Sequence, residues 1–167
     1  MDCEIRLAEL ADVKELAKVK KEIWESNLRG VYNDDVIDNF NYEKEEKVFT
    51  SIIDNEEIDL YCVIVDNCIV GYMDCGKPYY NYLDYEAEIG LLYLKKECQR
   101  QGIGEMLFQL AKESFRSKGI DKFFISCNKY NLEAQKFYEA MGGKVIQVDE
   151  DNFEDKRSVQ IKYHYDI

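Results

Sequence analysis

Short apolar runs alternate along the chain with longer segments in which apolar residues recur every three or four positions. Val13, Leu16, Val19 and Ile23 follow the second pattern, which is typical of the buried face of a helix. Residues 58–65 are largely apolar and favour a buried strand. The whole pattern predicts strands at residues 5–7, 58–65, 68–75, 83–94, 122–127, 145–148 and 158–165, and helices at residues 11–28, around 48–53, from Gly102 towards Gly119, and at 132–141.

This order of elements predicts a mixed α/β fold built around one sheet. Asp66 and Asn67 lie between two predicted strands and indicate the turn of an antiparallel hairpin. Asn131 is placed to cap the last helix, and Gly142 to end it. A chain of 167 residues without a linker or repeat is expected to form a single domain over residues 1–167.

The net charge of −12 disfavours nucleic acid and an anionic membrane as partners, because both require clustered Lys and Arg. Residues 1–6 are charged from Asp2 onwards and lack the apolar stretch of a signal peptide, which predicts a cytoplasmic location. Six cysteines form no C-x-x-C pair, and His164 is the sole histidine. Zinc sites, disulfides and Ser or Cys triads are therefore not expected, and no metal is predicted.

The charges are unevenly distributed along the chain. Ten acidic residues and two lysines lie between residues 32 and 60, which gives −8 for that stretch. Ten basic and six acidic residues lie between residues 95 and 145, which gives +4. This dipolar arrangement suits one anionic and one cationic ligand.

A glycine-rich turn at residues 99–104, Gln-Arg-Gln-Gly-Ile-Gly, joins a predicted strand to a predicted helix. Free N–H groups at a helix N-terminus, approached closely past glycine, form an anion site. The turn lacks the G-x-x-x-x-G-K-S/T pattern of a Walker loop, and Leu107 stands where a dinucleotide fingerprint needs glycine. A phosphate-bearing ligand is therefore expected, but neither nucleotide pattern is present.

Three motifs together resemble the GNAT superfamily of acetyl-CoA-dependent N-acetyltransferases. Gln99, Gly102 and Gly104 match Q/R-x-x-G-x-G/A at a strand-to-helix turn. Residues 88–94, ending in Leu-Tyr-Leu, resemble the central strand, and residues 131–143 resemble the block N-x-x-A-x-x-F-Y-x-x-x-G. The resemblance implies a GNAT-like fold with one central, mostly antiparallel sheet and about four flanking helices.

The resemblance also implies acetyl-CoA as co-substrate. Its pyrophosphate is expected on the glycine turn, its pantetheine arm along the central strand as an added strand, and further contacts from Asn131 and Tyr138. The predicted cofactor-binding residues are Leu92, Tyr93, Leu94, Gln99, Arg100, Gln101, Gly102, Ile103, Gly104, Glu105, Asn131 and Tyr138.

The implied chemistry is direct attack of an amine on the acetyl thioester. An alkyl amine has a pKa of about 10.4, so a base must remove its proton at neutral pH. Glu88, at the family's base position on the central strand, is the candidate, with Glu86 or water as alternatives. Tyr138 is the candidate acid for the departing thiolate, and a main-chain N–H near Tyr93 is expected to stabilise the oxyanion.

The acidic stretch and the resemblance together favour a small cationic acceptor, with polyamines, amino sugars, amino acids and peptide amines all open. An alternative function is a non-catalytic acyl-CoA sensor of the same fold, and a nucleotide-binding domain is a third. The resemblance further implies a possible homodimer.

Overall fold

Seven strands form one sheet in the computed structural model, which describes residues 2–167. Met1, the first residue of the predicted domain, lies outside the described residues. The strands are β1 (Cys3–Leu7), β2 (Ile58–Val65), β3 (Cys68–Gly76), β4 (Glu88–Leu94), β5 (Lys122–Asn128), β6 (Lys144–Val148) and β7 (Gln160–Asp166). Their order in the sheet is β1-β2-β3-β4-β5-β7-β6, and only the β4–β5 pair is parallel.

Five α-helices cover the two faces of the sheet: α1 (Val13–Ile23), α2 (Asp34–Asp38), α3 (Tyr42–Ile53), α4 (Ile103–Ser117) and α5 (Leu132–Ala140). Apolar residues of α1 and α3, including Leu16 and Phe49, pack with β2 and β3 in one core. Leu107 of α4 and Tyr138 of α5 belong to a second core on the other face. The predicted mixed fold is confirmed, with α2 as one short helix more than the four expected.

Local turn chemistry follows the sequence closely. Asp66 and Asn67 have φ angles of 50° and 65°, the left-handed conformation that a tight antiparallel hairpin requires. The Asn131 side chain accepts a hydrogen bond from the Ala134 N–H at 3.2 Å and so caps α5. These short-range predictions succeed because they depend on side chains that act on their own backbone.

The largest error concerns the start of the central strand. The sequence predicts a strand from residue 83, whereas β4 begins at Glu88 and Leu83 has a φ of 47°. The apolar pattern here is misleading because Tyr82 and Tyr85 pack from a loop onto the Phe124 ring. The predicted first helix also divides, since α1 ends at Ile23 and a π-helical turn continues as Trp24–Leu28.

All six cysteines are free thiols. Residues 2–167 hold no group of three or more potential ligands placed for a metal, and no described helix is long and apolar enough to cross a membrane.

The hydroxyl of Tyr72 gives a stability prediction. The side chain is fully buried, and its hydroxyl has no hydrogen-bond partner among the described residues. An unpaired buried polar group is destabilising, so Tyr72→Phe is expected to raise the free energy of unfolding by about 1 kcal/mol in urea denaturation. The matched control is Tyr165→Phe, which is expected to lower it, because that hydroxyl donates to the Tyr138 carbonyl at 2.6 Å. A loss of stability in Tyr72→Phe would contradict the prediction.

Candidate active site

A cavity of about 1130 Å³ opens on the face of the sheet that carries α1 and α3. Residues of α3, the loop at residues 79–82 and the strands β4, β5 and β7 line it. Glu88 lies opposite Phe124, and Ser126 lies opposite Lys162. Because side chains two apart on a strand share a face, these four residues all project into the cavity.

Glu88 is the only buried carboxylate among the described residues that line this cavity. Its side chain lies at the first position of β4 and is 8% exposed. The Tyr79 main-chain N–H donates to Glu88 Oε1 at 2.9 Å. Burial raises the pKa of Glu88, while this hydrogen bond and the charge of Lys162 oppose the rise. A carboxylate with a raised pKa in a cavity can serve as a base near neutral pH.

Glu86 does not share this position. The residue is exposed, precedes β4 and does not line the cavity. The strand predicted over residues 83–94 would have put Glu86 on the same face as Glu88, and this is wrong because β4 begins only at Glu88.

Asp74 on β3 is a second buried carboxylate, and the sequence analysis missed it. It is 1% exposed and accepts hydrogen bonds from the Tyr79 hydroxyl at 2.5 Å and the Leu91 N–H at 3.2 Å. Burial raises its pKa to about 7, with a smaller contribution from the charge of Glu88 and with the hydrogen bond from Tyr79 opposing the rise. Tyr79 therefore contacts both carboxylates, one through its hydroxyl and the other through its main-chain N–H.

Gly90 provides the space that Asp74 occupies. The register between β3 and β4 shifts here, so that Asp74 pairs with Leu91 and Cys75 with Ile89. A Cβ on Gly90 would lie 2.3 Å from Asp74 Oδ1. The sequence signal for this bulge is the presence of Gly90 in one apolar strand and of Asp74 in the neighbouring one.

The strands β4 and β5 separate immediately after the cavity floor. They pair only at Glu88 with Phe124 and at Ile89 with Ile125. The N–H groups of Leu91 and Lys95 both point towards β3, where they meet Asp74 and the Val70 carbonyl. The N–H and C=O groups of successive residues point to opposite sides of a strand. Those of Leu92 and Leu94 therefore face the gap left where β5 separates from β4.

The direction of the main chain bears on two expectations. Tyr93 shares the direction of Leu91 and Lys95, so its own N–H faces β3, and an oxyanion donor near Tyr93 has to come from an adjacent residue that faces the gap. The Leu94 carbonyl faces the gap but already accepts from Asn27 Nδ2 at 3.0 Å and Gln99 Nε2 at 3.1 Å. Leu92 is left as the residue whose main chain is open to the gap.

The glycine turn begins α4 as the sequence predicts. Gly102 is the residue before the helix, has a φ of 83°, and supplies no side-chain cap. The first N–H groups of α4, including those of Ile103, Gly104 and Glu105, therefore have no partner within the helix. Gly104 packs against the Phe137 ring, which a Cβ would meet at 3.2 Å.

Other predicted residues of the turn make structural contacts. Arg100 Nη2 forms an exposed ion pair with Glu133 Oε2 at 3.1 Å, and its φ is 62°. The Gln101 side chain donates to the Glu97 carbonyl at 2.9 Å.

Tyr138 lies in the core between the sheet and α5. Its ring packs against the rings of Phe137 and Tyr163. Burial raises the pKa of its hydroxyl above the ordinary value, so the phenol keeps its proton throughout the physiological range.

Comparisons with known proteins identify the family. The family model described as "Acetyltransferase (GNAT) family" matches residues 19–143, three quarters of the chain. The chain belongs to the GNAT acetyltransferase family. Its resemblance in sequence to that family is thereby confirmed, and it is an acetyltransferase with acetyl-CoA as co-substrate.

Individual relatives support the same assignment. A protein named spermidine N(1)-acetyltransferase from Thermoplasma acidophilum is 27% identical over 158 residues, covering 92% of this chain and 95% of its own. YuaI of Bacillus subtilis, named an uncharacterized N-acetyltransferase, is 28% identical and is covered over 84% of its length, with 90% of this chain matched. The crystal structure of the PaiA N-acetyltransferase from T. acidophilum, in complex with coenzyme A, shares the fold with a TM-score of 0.83, 23% identity and full coverage of both chains.

The described residues of this GNAT chain fit its co-substrate. Unpaired N–H groups at the start of α4 suit a pyrophosphate, and the gap between β4 and β5 leaves main-chain groups for an extended arm. The gap runs beside the second half of β4 and α4 begins after that strand, whereas the cavity that contains Glu88 lies on the α1 and α3 face. The fold thus offers separate approaches for two reactants.

Proposed function

We propose that this acetyltransferase binds acetyl-CoA along the gap beside β4 and transfers its acetyl group to a primary amine that enters the cavity. The observation that carries the proposal is Glu88, a buried carboxylate that lines the cavity where β4 and β5 separate.

The co-substrate would be held mainly by main-chain groups. The N–H groups at the start of α4 bind the pyrophosphate, and the Leu92 main chain pairs with the pantetheine arm. Asn131 already caps α5, because its Oδ1 accepts from the Ala134 N–H. Its side-chain NH₂ group is left to bind the arm. Gln99 helps indirectly by fixing the Leu94 carbonyl at the end of the strand.

Bound acetyl-CoA supplies an acetyl thioester, whose C–S bond is replaced by a C–N bond to the amine. Glu88 takes the proton lost by the amine, directly or through one water. Tyr138 donates a proton to the departing sulfur. The Leu92 N–H, which faces the gap, is the candidate donor to the oxyanion.

The acceptor is proposed to be a small primary amine. The relative named for spermidine favours a polyamine among these amines. Amino sugars, amino acids and peptide amines share the reacting group, and the charges inside the cavity bear on the choice among them.

The direct test is a mass-spectrometric screen of acetyl-CoA with pooled amines. The pools contain polyamines, amino sugars, amino acids and short lysine peptides, and each is read for a mass gain of one acetyl group. Mass detection avoids thiol reagents, which the six free cysteines would also consume. We expect enzyme-dependent acetylation in at least one pool; none in any pool would contradict the proposed function.

Replacement of Tyr138 by phenylalanine tests the acid role. We expect kcat to fall by roughly 10²-fold, because the thiolate would leave without a proton donor. Binding of coenzyme A, measured by calorimetry, should change little. Tyr163→Phe alters a neighbouring tyrosine of the same core and serves as the control. An unchanged kcat in Tyr138→Phe would remove this residue from the mechanism.

A further inference from the structure

The cavity contains more positive than negative charge, although the whole chain is acidic. Five cationic side chains line it: Lys20, Lys44, Lys47, Arg157 and Lys162. Glu43 and Glu88 are the acidic residues of the lining. Lys20 is neutralised by Glu45, and Lys47 lies 3.8 Å from Glu43. Positive charge therefore remains on Lys44, Arg157 and Lys162 against the single carboxylate of Glu88.

Most of the acidic residues between residues 32 and 60 lie outside the cavity. Of these ten acidic residues, Glu43 alone contributes to the lining. Asp34 and Asp38 bind Arg29 at the surface, and Glu45 is turned inward to Lys20. The expectation that these acids select a cationic acceptor therefore has no support from their positions.

Lys162 is the most informative of the cations. It lies on β7, half-buried, with its ammonium over the rings of Tyr82 and Phe124 at 5.1 and 5.5 Å. The ammonium donates to Ser126 Oγ at 2.7 Å and Gln160 Oε1 at 3.3 Å. No carboxylate of residues 2–167 lies within 4.0 Å of it. An ammonium has three N–H donors, so one donor remains.

Arg157 is a second cation without a carboxylate. Its guanidinium lies 4.9 Å from the centre of the Trp24 ring and 6.0 Å from that of Tyr32. Among the described residues it forms no ion pair. Stacking on an aromatic ring fixes the plane of a guanidinium and leaves its N–H edge free for an oxyanion.

Glu88 and Lys162 occupy different parts of one floor. They lie two strands apart, and the register offsets them by two residues along the sheet. Ideal strand spacings put their Cα atoms about 12 Å apart. Among the described residues the two side chains form no ion pair within 4.0 Å, so the two charged ends are not in direct contact.

We propose that the acceptor amine also carries an acidic group, a carboxylate or a phosphate, which Lys162 and Arg157 bind while the amine reaches Glu88. This inference rests on the proposed function and narrows its acceptor to a zwitterionic amine. Burial lowers the pKa of Lys162, while the charges of Glu88 and Asp149 oppose that effect and favour the ammonium form.

The test compares amines that differ only in the charge of the far end. For each length from two to six carbons, kcat/KM is measured for the ω-amino acid, the n-alkylamine and the α,ω-diamine. At the best length, we expect the amino acid to exceed both others by tenfold or more, since the cations attract a carboxylate and repel an ammonium. An aminoalkyl phosphate of matched length distinguishes phosphate from carboxylate.

Three variants and one control assign the effect to individual residues. Lys162→Met and Arg157→Gln should each raise KM for the preferred acidic amine at least tenfold more than KM for the alkylamine. Lys162→Glu should shift preference towards the diamine. Lys144→Met, an exposed lysine on the neighbouring strand outside the cavity, should leave the acceptor ranking unchanged. If Lys162 acted only through the charge of Glu88, Lys162→Met would change kcat by the same factor for every amine. That result would overturn the inference.

The outcomes separate this inference from the proposed function. Acetylation of a diamine or polyamine with kcat/KM equal to or above that of every acidic amine overturns the inference and leaves the function standing. Acetylation of neither this series nor the pooled amines overturns the proposed function, and the inference with it.

Discussion

Replacing Glu88 by glutamine is expected to lower kcat/KM by roughly 10²–10⁴-fold at pH 7, the usual contribution of a positioned base. At that pH almost all of an alkyl amine with a pKa of about 10.4 is protonated. Glutamine keeps an oxygen that can accept the Tyr79 N–H, so the loop above the cavity is retained. It removes the ability to take a proton, together with the negative charge of the carboxylate.

The pH dependence gives this prediction its direction. Burial raises the pKa of Glu88, so the wild-type rate should increase with pH until this carboxyl is ionised. The variant has no carboxyl to ionise, and its rate should continue to increase towards pH 10 as free amine accumulates. The deficit should therefore narrow at high pH. A deficit that is constant with pH would indicate a structural role.

Two further variants are matched controls for Glu88→Gln. Glu86→Gln alters an exposed carboxylate outside the strand and should leave the pH profile unchanged. Asp74→Asn removes a carboxyl whose pKa is about 7 and whose neighbour Tyr79 also contacts Glu88. Any wild-type inflection near pH 7 that persists in Asp74→Asn belongs to Glu88 or to the substrate.

The sequence predicts local chemistry and order well. Gly102 begins a helix, Asn131 caps one and Asp66-Asn67 turns a hairpin, because each depends on a few adjacent residues. The family motifs then identified the fold and the co-substrate. Glu88 and Tyr138 were chosen by their places in those motifs, and their catalytic roles remain predictions.

The parts that the sequence did not predict depend on contacts between distant segments. Asp74 reads as a polar residue at the end of a strand, and its burial follows from Gly90 and Tyr79 closing over it. The start of β4 was misplaced because aromatic loop residues imitate a strand. The charge of the cavity could not be inferred from the acidic stretch, since only Glu43 of its ten acids lines the cavity, while Asp34 and Asp38 pair with Arg29 and Glu45 with Lys20.

Glu45→Met is expected to cause the largest loss of stability, about 3–5 kcal/mol at pH 7. Lys20 and Glu45 are 6% and 5% exposed and form an ion pair at 2.6 Å beneath the cavity. Without Glu45, the Lys20 ammonium stays buried against the rings of Trp24 and Phe49 with no carboxylate partner, and Arg157 adds repulsion. The measurement is urea denaturation at constant ionic strength.

The cost of Glu45→Met has an upper bound and a definite pH dependence. Burial already lowers the pKa of Lys20, and Glu45 and Asp74 oppose that effect, so removing Glu45 lowers the pKa further. Releasing the proton at pH 7 costs at most about 5 kcal/mol, since the unfolded amine has a pKa of about 10.4. The unfolded state then binds more protons than the folded state, so stability should increase with pH, and the deficit should be smaller at pH 9 than at pH 7.

Adding Lys20→Met should recover most of the loss, because two apolar chains of similar volume replace the pair. If the losses of stability in the two single variants simply added up in the double variant, Lys20 and Glu45 would act independently. That result would contradict the prediction, which depends on their buried ion pair.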